Sequence, residues 1–344
     1  MQIVLVPSGT AFSCESDETI LAAAKRQAIN LASACENGTC GACKAEVVSG
    51  AIIHDERASA LTRTDLALCK ALLCCAYARS DLTIKATEVA LRSDQPAATV
   101  PARVLRLQRL SPSVVGLTLR FPPGMAPAFR PGQFVGIEWQ GRLRSFSIAN
   151  AARGDGTIDL HIGRVQNGQF TNHVFETLSE GAILRLAGPF GEFGIADAQR
   201  PMLFVAGGTG IAPIIGMLQA LAPSAPRQPI RLYWGCRNSR EFYTSAQIDD
   251  IAADFADFRC VQVVSDDDAQ WRGRSGFVHD IVRSDVPDLC QFDVYACGNP
   301  LLVRAMEDVA IDGGVPPARF FADSFNLVPP PAAADPIPSR GATA

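Results

Sequence analysis

What this chain lacks narrows the field first. It has no excess of positive charge: 31 Lys and Arg against 35 Asp and Glu leave a formal net charge of −4. A nucleic-acid binder needs a basic stripe to neutralise phosphates, so no nucleic-acid partner is expected. Histidine is scarce, with four in 344 residues. No motif sets one beside a serine and an acid, as a hydrolytic triad requires. Residues 1–7 carry no basic stretch ahead of an apolar one, so a signal peptide is not expected. Residues 201–226 are free of charge and long enough to suggest a membrane span. Glycines at 207, 208 and 210 and a proline at 213 interrupt that run, which reads as buried strand, turn and helix. We expect a soluble, cytoplasmic protein with no membrane partner.

Cysteine, in contrast, is plentiful, with eleven residues. A disulfide scaffold belongs to short secreted chains, and this one is long. Three cysteines stand as Cys35-x4-Cys40-x2-Cys43, and a further pair, Cys74-Cys75, follows after 30 intervening residues. Two irons bridged by two sulfides need four thiolates, and a tight loop can supply three. Gly38 and Gly41 allow such a loop to turn. The spacing is that of a plant-type [2Fe–2S] site. Structural zinc sites favour two separated C-x2-C pairs, and a Rieske centre needs Cys-x-His pairs; neither pattern occurs. A set of buried, reduced cysteines is the remaining alternative. Residues 73–82 resemble the ferredoxin pattern L-x-C-x-x-x-P-x-S-D-L, with Ala78 in the proline position. Counting back seven from Asp81 selects Cys74 as the fourth ligand. Cys75 would point the other way on an extended segment.

At 344 residues, 48% of them hydrophobic, the chain can form two or three domains with separate cores. Strands are expected over 2–6 and 10–13, around Ser8-Gly9. Asp17 can cap a helix carrying Ile20, Leu21, Ala24 and Ala28. Strands over 45–48 and 82–86 complete a compact unit spanning residues 1–90. Residues 91–100 read as a polar, Pro-bearing linker. Over 101–198, short apolar runs at 114–119, 134–139 and 158–162 suggest an antiparallel β-barrel. Over 199–327, strands at 202–206, 230–235, 258–264 and 294–296 alternate with helical segments. That alternation suggests a doubly wound parallel α/β sheet. Residues 328–344 hold five prolines and no apolar period, and disorder is expected. Formal charge over 1–90, 91–200 and 201–344 is −2, +4 and −6. The basic middle suits an anionic cofactor.

A series of motifs accompanies this layout. Arg144-Ser145-Phe146-Ser147 resembles the R-x-[YF]-S signature of the ferredoxin–NADP⁺ reductase superfamily. His161-Ile162-Gly163-Arg164-Val165 resembles its H-I-x-R-V strand, and Gly168-x-x-Thr171 its phosphate motif. Gly207-Gly208-Thr209-Gly210 sits between an expected strand and helix, where glycines let the backbone approach a pyrophosphate. Gly235-Cys236-Arg237 resembles the family's G-x-R, Cys297-Gly298-Asn299-Pro300 its C-G-x-P, and Asp323-Ser324-Phe325 its closing [E/D]-x-F. The order resembles reductase components of bacterial aromatic-ring oxygenases, which join a β-grasp ferredoxin (α+β) to a flavin reductase. The related CDP-deoxysugar reductases share it.

The resemblance implies that Arg144 holds the FAD pyrophosphate together with Thr171, which would open a helix whose N-terminal N–H groups face it. It places Phe146 on one flavin face, Ser147 at N5 and Phe325 on the other face. It places Cys297, Gly298 and Pro300 around the nicotinamide, with Ser147, Cys297 and Phe325 at the reacting atoms. His161 reads as a core histidine, and Asp323 as polar scaffolding. Glu241 could accept from a ribose 2′-hydroxyl, whereas Arg237 and Arg240 could favour a 2′-phosphate; NADH is preferred over NADPH. The implied reaction takes a hydride from NADH to FAD and passes single electrons to the [2Fe–2S] cluster. A terminal oxygenase follows, the Rieske type among the candidates, or a separate ferredoxin. Two alternatives stay open: service to a CDP-deoxysugar dehydrase, and a redox sensor that does not turn over NAD(P)H.

Overall fold

The computed structural model describes residues 1–86, 99–224 and 226–325. The expected tail, and the expected linker up to residue 98, lie outside the described residues. Val100 already pairs with Leu186, so strand begins there.

Three sheets follow in chain order. The first is mixed and five-stranded. Gln2–Val6 pairs antiparallel with Ala11–Ser13 and parallel with Leu82–Lys85; Lys44–Ser49 and Lys70–Leu72 complete it. Helix Ile20–Arg26 buries Ile20, Leu21, Ala23 and Ala24, the β-grasp arrangement. Thr19, not Asp17, caps this helix, accepting from Ala22 N–H at 3.2 Å. The helix ends before Ala28, whose φ is +57°. The spacing of apolar residues thus located the helix but not its ends, which side-chain capping decides.

The second sheet is antiparallel throughout. Its order runs Arg142–Ser147, Phe134–Trp139, Ile183–Phe190, Val100–Ser111, Val114–Arg120, Thr157–Gly163. The two edges meet: Ile148 bridges Leu160, and Ala149 N–H donates to Asp159 O at 2.7 Å. That contact closes the barrel and removes its open edges. Helix Gln169–Glu176 packs Phe170 and Val174 into the barrel core.

The third sheet is parallel throughout, ordered Arg274–Ser275, Phe258–Val264, Ile230–Cys236, Met202–Gly207, Asp293–Gly298, Phe320–Ser324. Side chains alternate across a strand. Phe204 and Ala206 therefore pack with helices Ile211–Leu221 and Ser245–Ala252, and Leu203 and Val205 with Val278–Asp285 and Pro300–Asp312. Two covered faces explain why Met202–Gly207 reads as an unbroken apolar run. Its helix has 11 residues, and among the described residues no helix is long and apolar enough to cross a membrane.

The chain leaves Met202–Gly207 in one direction and returns on its other side at Asp293–Gly298. This is the switch point where such sheets open a ligand crevice. The backbone closes tightly there: a Cβ on Gly210 would fall 2.2 Å from the Cys297 carbonyl oxygen. Gly210→Ala is therefore expected to cost about 1–3 kcal/mol through overpacking. Chemical denaturation would show it as a lower midpoint with an unchanged slope.

Candidate electron-transfer site

The cysteine loop comes first. Cys35 Sγ accepts from Cys40 N–H at 3.3 Å, and Cys40 Sγ accepts from Cys35 N–H at 3.4 Å and Ala42 N–H at 3.5 Å. The neighbouring Cys43 thiol and burial together push the Cys74 thiol up. Gly38 adopts φ +82°, and a Cβ there would meet Arg57 O at 2.0 Å and Cys75 Sγ at 2.8 Å. Cys75 is thus fully buried behind the loop, 3.6 Å from Cys74 Sγ. Among the described residues no three His, Cys, Asp or Glu side chains gather as a single-ion site requires. The loop thiols of Cys35, Cys40 and Cys43 together with that of Cys74 make four sulfur donors, a set that would hold a two-iron cluster.

The loop opens onto a cleft of about 1240 Å³. Cys35 and Cys40 form one wall. Arg144, Phe146, Ser147, His161 and Arg164 form the barrel side, with Gly168 and Thr171 from the adjoining loop and helix. Gly207, Gly208, Thr209, Arg237, Glu241, Asp323 and Phe325 form the side of the parallel sheet. Five expected site residues stand behind this wall: Ile162, Gly210, Cys297, Gly298 and Pro300. Cys297 has no exposed surface, because the Gly207–Gly210 turn folds over the strand end that carries it.

Two contacts tie the barrel to the parallel sheet, and a third braces the parallel-sheet side. Ser147 Oγ donates to Asp323 Oδ2 at 3.4 Å, from barrel to parallel sheet. Burial pushes the Asp323 carboxyl up to about 6, against the opposing pull of Lys44 and Ser147. His161 Nδ1 lies 3.1 Å from Tyr243 Oη. Burial pushes the His161 ring down to about 4, so it is neutral at pH 7. Phe325 N–H donates to Gly298 O at 2.7 Å, anchoring the closing aromatic residue to the C-G-x-P turn.

Two side chains differ from their expected use. Thr171 does not open its helix, which starts at Gln169 after Gly168. Thr171 Oγ1 instead accepts from Val165 N–H at 3.2 Å and lies 3.1 Å from Gly168 O, fixing the loop before the helix. Arg237 is engaged by Glu241, with guanidinium–carboxylate distances of 3.1 and 2.6 Å. Tyr243 and Trp139 also line the cleft, and Trp139 stacks on His173 at 4.4 Å. Neither lies in a motif, so only their aromatic character in apolar surroundings could have drawn notice.

Known proteins share this architecture. Residues 3–79 match the 2Fe-2S iron-sulfur cluster binding domain, 101–195 the oxidoreductase FAD-binding domain, and 204–308 the oxidoreductase NAD-binding domain. The chain is 36% identical over 329 residues to the CDP-6-deoxy-L-threo-D-glycero-4-hexulose-3-dehydrase reductase of Yersinia pestis, covering 94% of this chain and 98% of the relative. It is 31% identical over 339 residues to the phenol 2-monooxygenase reductase component DmpP of Pseudomonas sp. CF600, covering 94% of each. The solved Amycolatopsis cytochrome P450 reductase GcoB superposes with a TM-score of 0.70 at 29% identity, over 94% of this chain and 98% of that one. The chain belongs to this family of iron–sulfur flavoprotein reductases.

As a family member it is an oxidoreductase with three cofactor domains, carrying electrons from NADH through FAD to [2Fe–2S] for a partner enzyme. A flavin bound beside the cluster converts one two-electron donor into two one-electron deliveries. The residues contribute geometry and a partly charged wall. The redox-sensor alternative gains no support from these relatives, which are reductases.

Cys74→Ser is expected to abolish the visible absorption of the cluster, and Cys75→Ser to retain it; the reverse result would reassign the fourth thiolate. Asp323 supplies a pH test. Its folded pKa lies above the unfolded value, so its burial penalty is absent below about pH 4 and complete above about pH 6. Asp323→Asn should therefore raise the unfolding temperature at pH 7, with the gain disappearing by about pH 4.

Proposed function

We propose that this reductase delivers its electrons to a terminal oxygenase that hydroxylates aromatic rings. A Rieske-type enzyme is the first partner to test, and a separate ferredoxin is the other route. The observation carrying this reading is the shared cleft, where Cys35 and Cys40 face the same space as Phe146 and Ser147. That layout makes the iron–sulfur loop the outlet for electrons entering at the flavin. Relatives named as reductases of phenol, terephthalate and O-demethylase systems support the oxygenase class.

In this reading Arg144 and the first turn after Gly168 hold the FAD pyrophosphate, Phe146 covers one flavin face and Phe325 the other. Ser147 reaches the flavin edge. The Gly207–Gly210 turn receives the NADH pyrophosphate, and Gly298, Pro300 and buried Cys297 shape the nicotinamide end from behind. The working units are residues 1–90, 101–198 and 199–327, in the cytoplasm, where NADH is available. Glu241 favours NADH: its carboxylate lies in the cleft and occupies Arg237, which is then not free for a 2′-phosphate. A second reading, service to a CDP-hexulose dehydrase, draws on the 36% identity to such reductases.

Purified protein with NADH should reduce cytochrome c, and adding each candidate partner with its substrate decides between the readings. Product from the dehydrase but not from any oxygenase would reverse the order. Glu241→Gln is expected to lower the NADH-over-NADPH ratio of kcat/KM by about tenfold, the worth of one hydrogen bond to a charged group.

A further inference from the structure

Something must hold the iron–sulfur unit against the cleft. Its hydrophobic core draws only on residues within 1–86, so that core does not run on into the other two units. Two of its ion pairs to the other units are exposed: Lys70 with Glu192 at 3.2 Å, and Arg63 with Asp308 at 2.8 Å. Exposed pairs of this kind contribute little.

Glu307 is different. It lies on helix Pro300–Asp312 and is 2% exposed. Its Oε1 accepts from Thr64 N–H at 2.6 Å and its Oε2 from Arg63 N–H at 3.2 Å. These donors belong to the first turn of helix Arg63–Ala67 and have no partner inside that helix. A buried carboxylate satisfied by two N–H groups is geometrically demanding.

The bonds continue in both directions. Asp65, in the capping box of the same short helix, accepts from Lys44 Nζ at 2.7 Å. Lys44 directly follows the thiol of Cys43. At the far end, helix Pro300–Asp312 begins at its Asn299 cap, next to the turn at Gly298. One run of packed elements therefore joins the nicotinamide turn to the cysteine loop.

We propose that Glu307 is a positioning residue for electron transfer from flavin to cluster: it clamps helix Arg63–Ala67 and so fixes the cysteine loop against the cleft. This rests on the NADH-to-cluster direction of flow. No bond forms or breaks at Glu307. One electron leaves the reduced flavin and enters the oxidised cluster in each of two transfers per hydride.

The test compares wild type with E307A, E307Q and R63P in the cofactor-loaded protein. Thr62 is already extended (φ −93°, ψ 167°), so proline fits at 63 while deleting one donor from the opposite side. Hydrogen exchange, read by mass spectrometry over residues 62–68, should speed up in E307A. In stopped flow, NADH should bleach the flavin at the wild-type rate in every variant. Cluster reduction should slow by about tenfold or more in E307A, as expected for lost positioning, and by less in E307Q and R63P, which each keep one bond. Cluster reduction within about twofold of wild type in all three variants would overturn the proposal. So would flavin bleaching that slows by the same factor as cluster reduction, or unchanged exchange over 62–68. If E307A does not fold, E307Q and R63P decide by the same criteria. Wild-type flavin left unbleached by NADH would count against the direction of flow, while the exchange data would still decide whether Glu307 clamps the helix.

Discussion

A half-buried carboxylate where three sheets meet organises this molecule. Asp323 is carried on the edge strand of the parallel sheet, faces Ser147 of the barrel at 3.4 Å, and feels the charge of Lys44 from the iron–sulfur unit. Burying an acid is unfavourable unless its surroundings compensate. Lys44 and Ser147, one from each of the other units, offset only part of that cost, which leaves the carboxyl up at about 6. Electron transfer demands that the units stand close, because its rate falls steeply with distance. The contact between Ser147 and Asp323 also brings the strand carrying Phe146 and Ser147 up to the one that Phe325 follows.

The legible features were those that local chemistry dictates. Thiol spacing follows from what two bridged irons require. Glycines at 38 and 210 stand where a Cβ would strike a carbonyl oxygen at 2.0 and 2.2 Å. The two-sided burial of Met202–Gly207 leaves an apolar run that no half-exposed strand would show. The barrel was readable as short strands, but its closure through Ile148 and Leu160 depends on register, which a single sequence does not specify.

Other features depend on partners far along the chain. The capping choice between Asp17 and Thr19 turns on a single backbone bond. Thr171 looked like a helix opener because its type suits that role, yet its hydroxyl is drawn back to Val165 and Gly168. Cys297 sits in a motif but is covered by a turn from almost 90 residues earlier. Tyr243 meets His161 across 82 residues, and Thr64 meets Glu307 across 243. Such pairs leave no local period or spacing, and the residues involved look ordinary until folding brings them together.

The way the iron–sulfur unit is attached follows from its two duties. It must face the flavin to be charged, and it must serve a separate enzyme. A continuous apolar seam would fix it firmly but would commit a large area to one arrangement. The described contacts include exposed ion pairs and one buried carboxylate. Exposed pairs tolerate many orientations and weaken with salt. The doubly bonded carboxylate of Glu307 tolerates few, since tilting helix Arg63–Ala67 breaks both of its bonds. Orientation is thus concentrated in one directional contact.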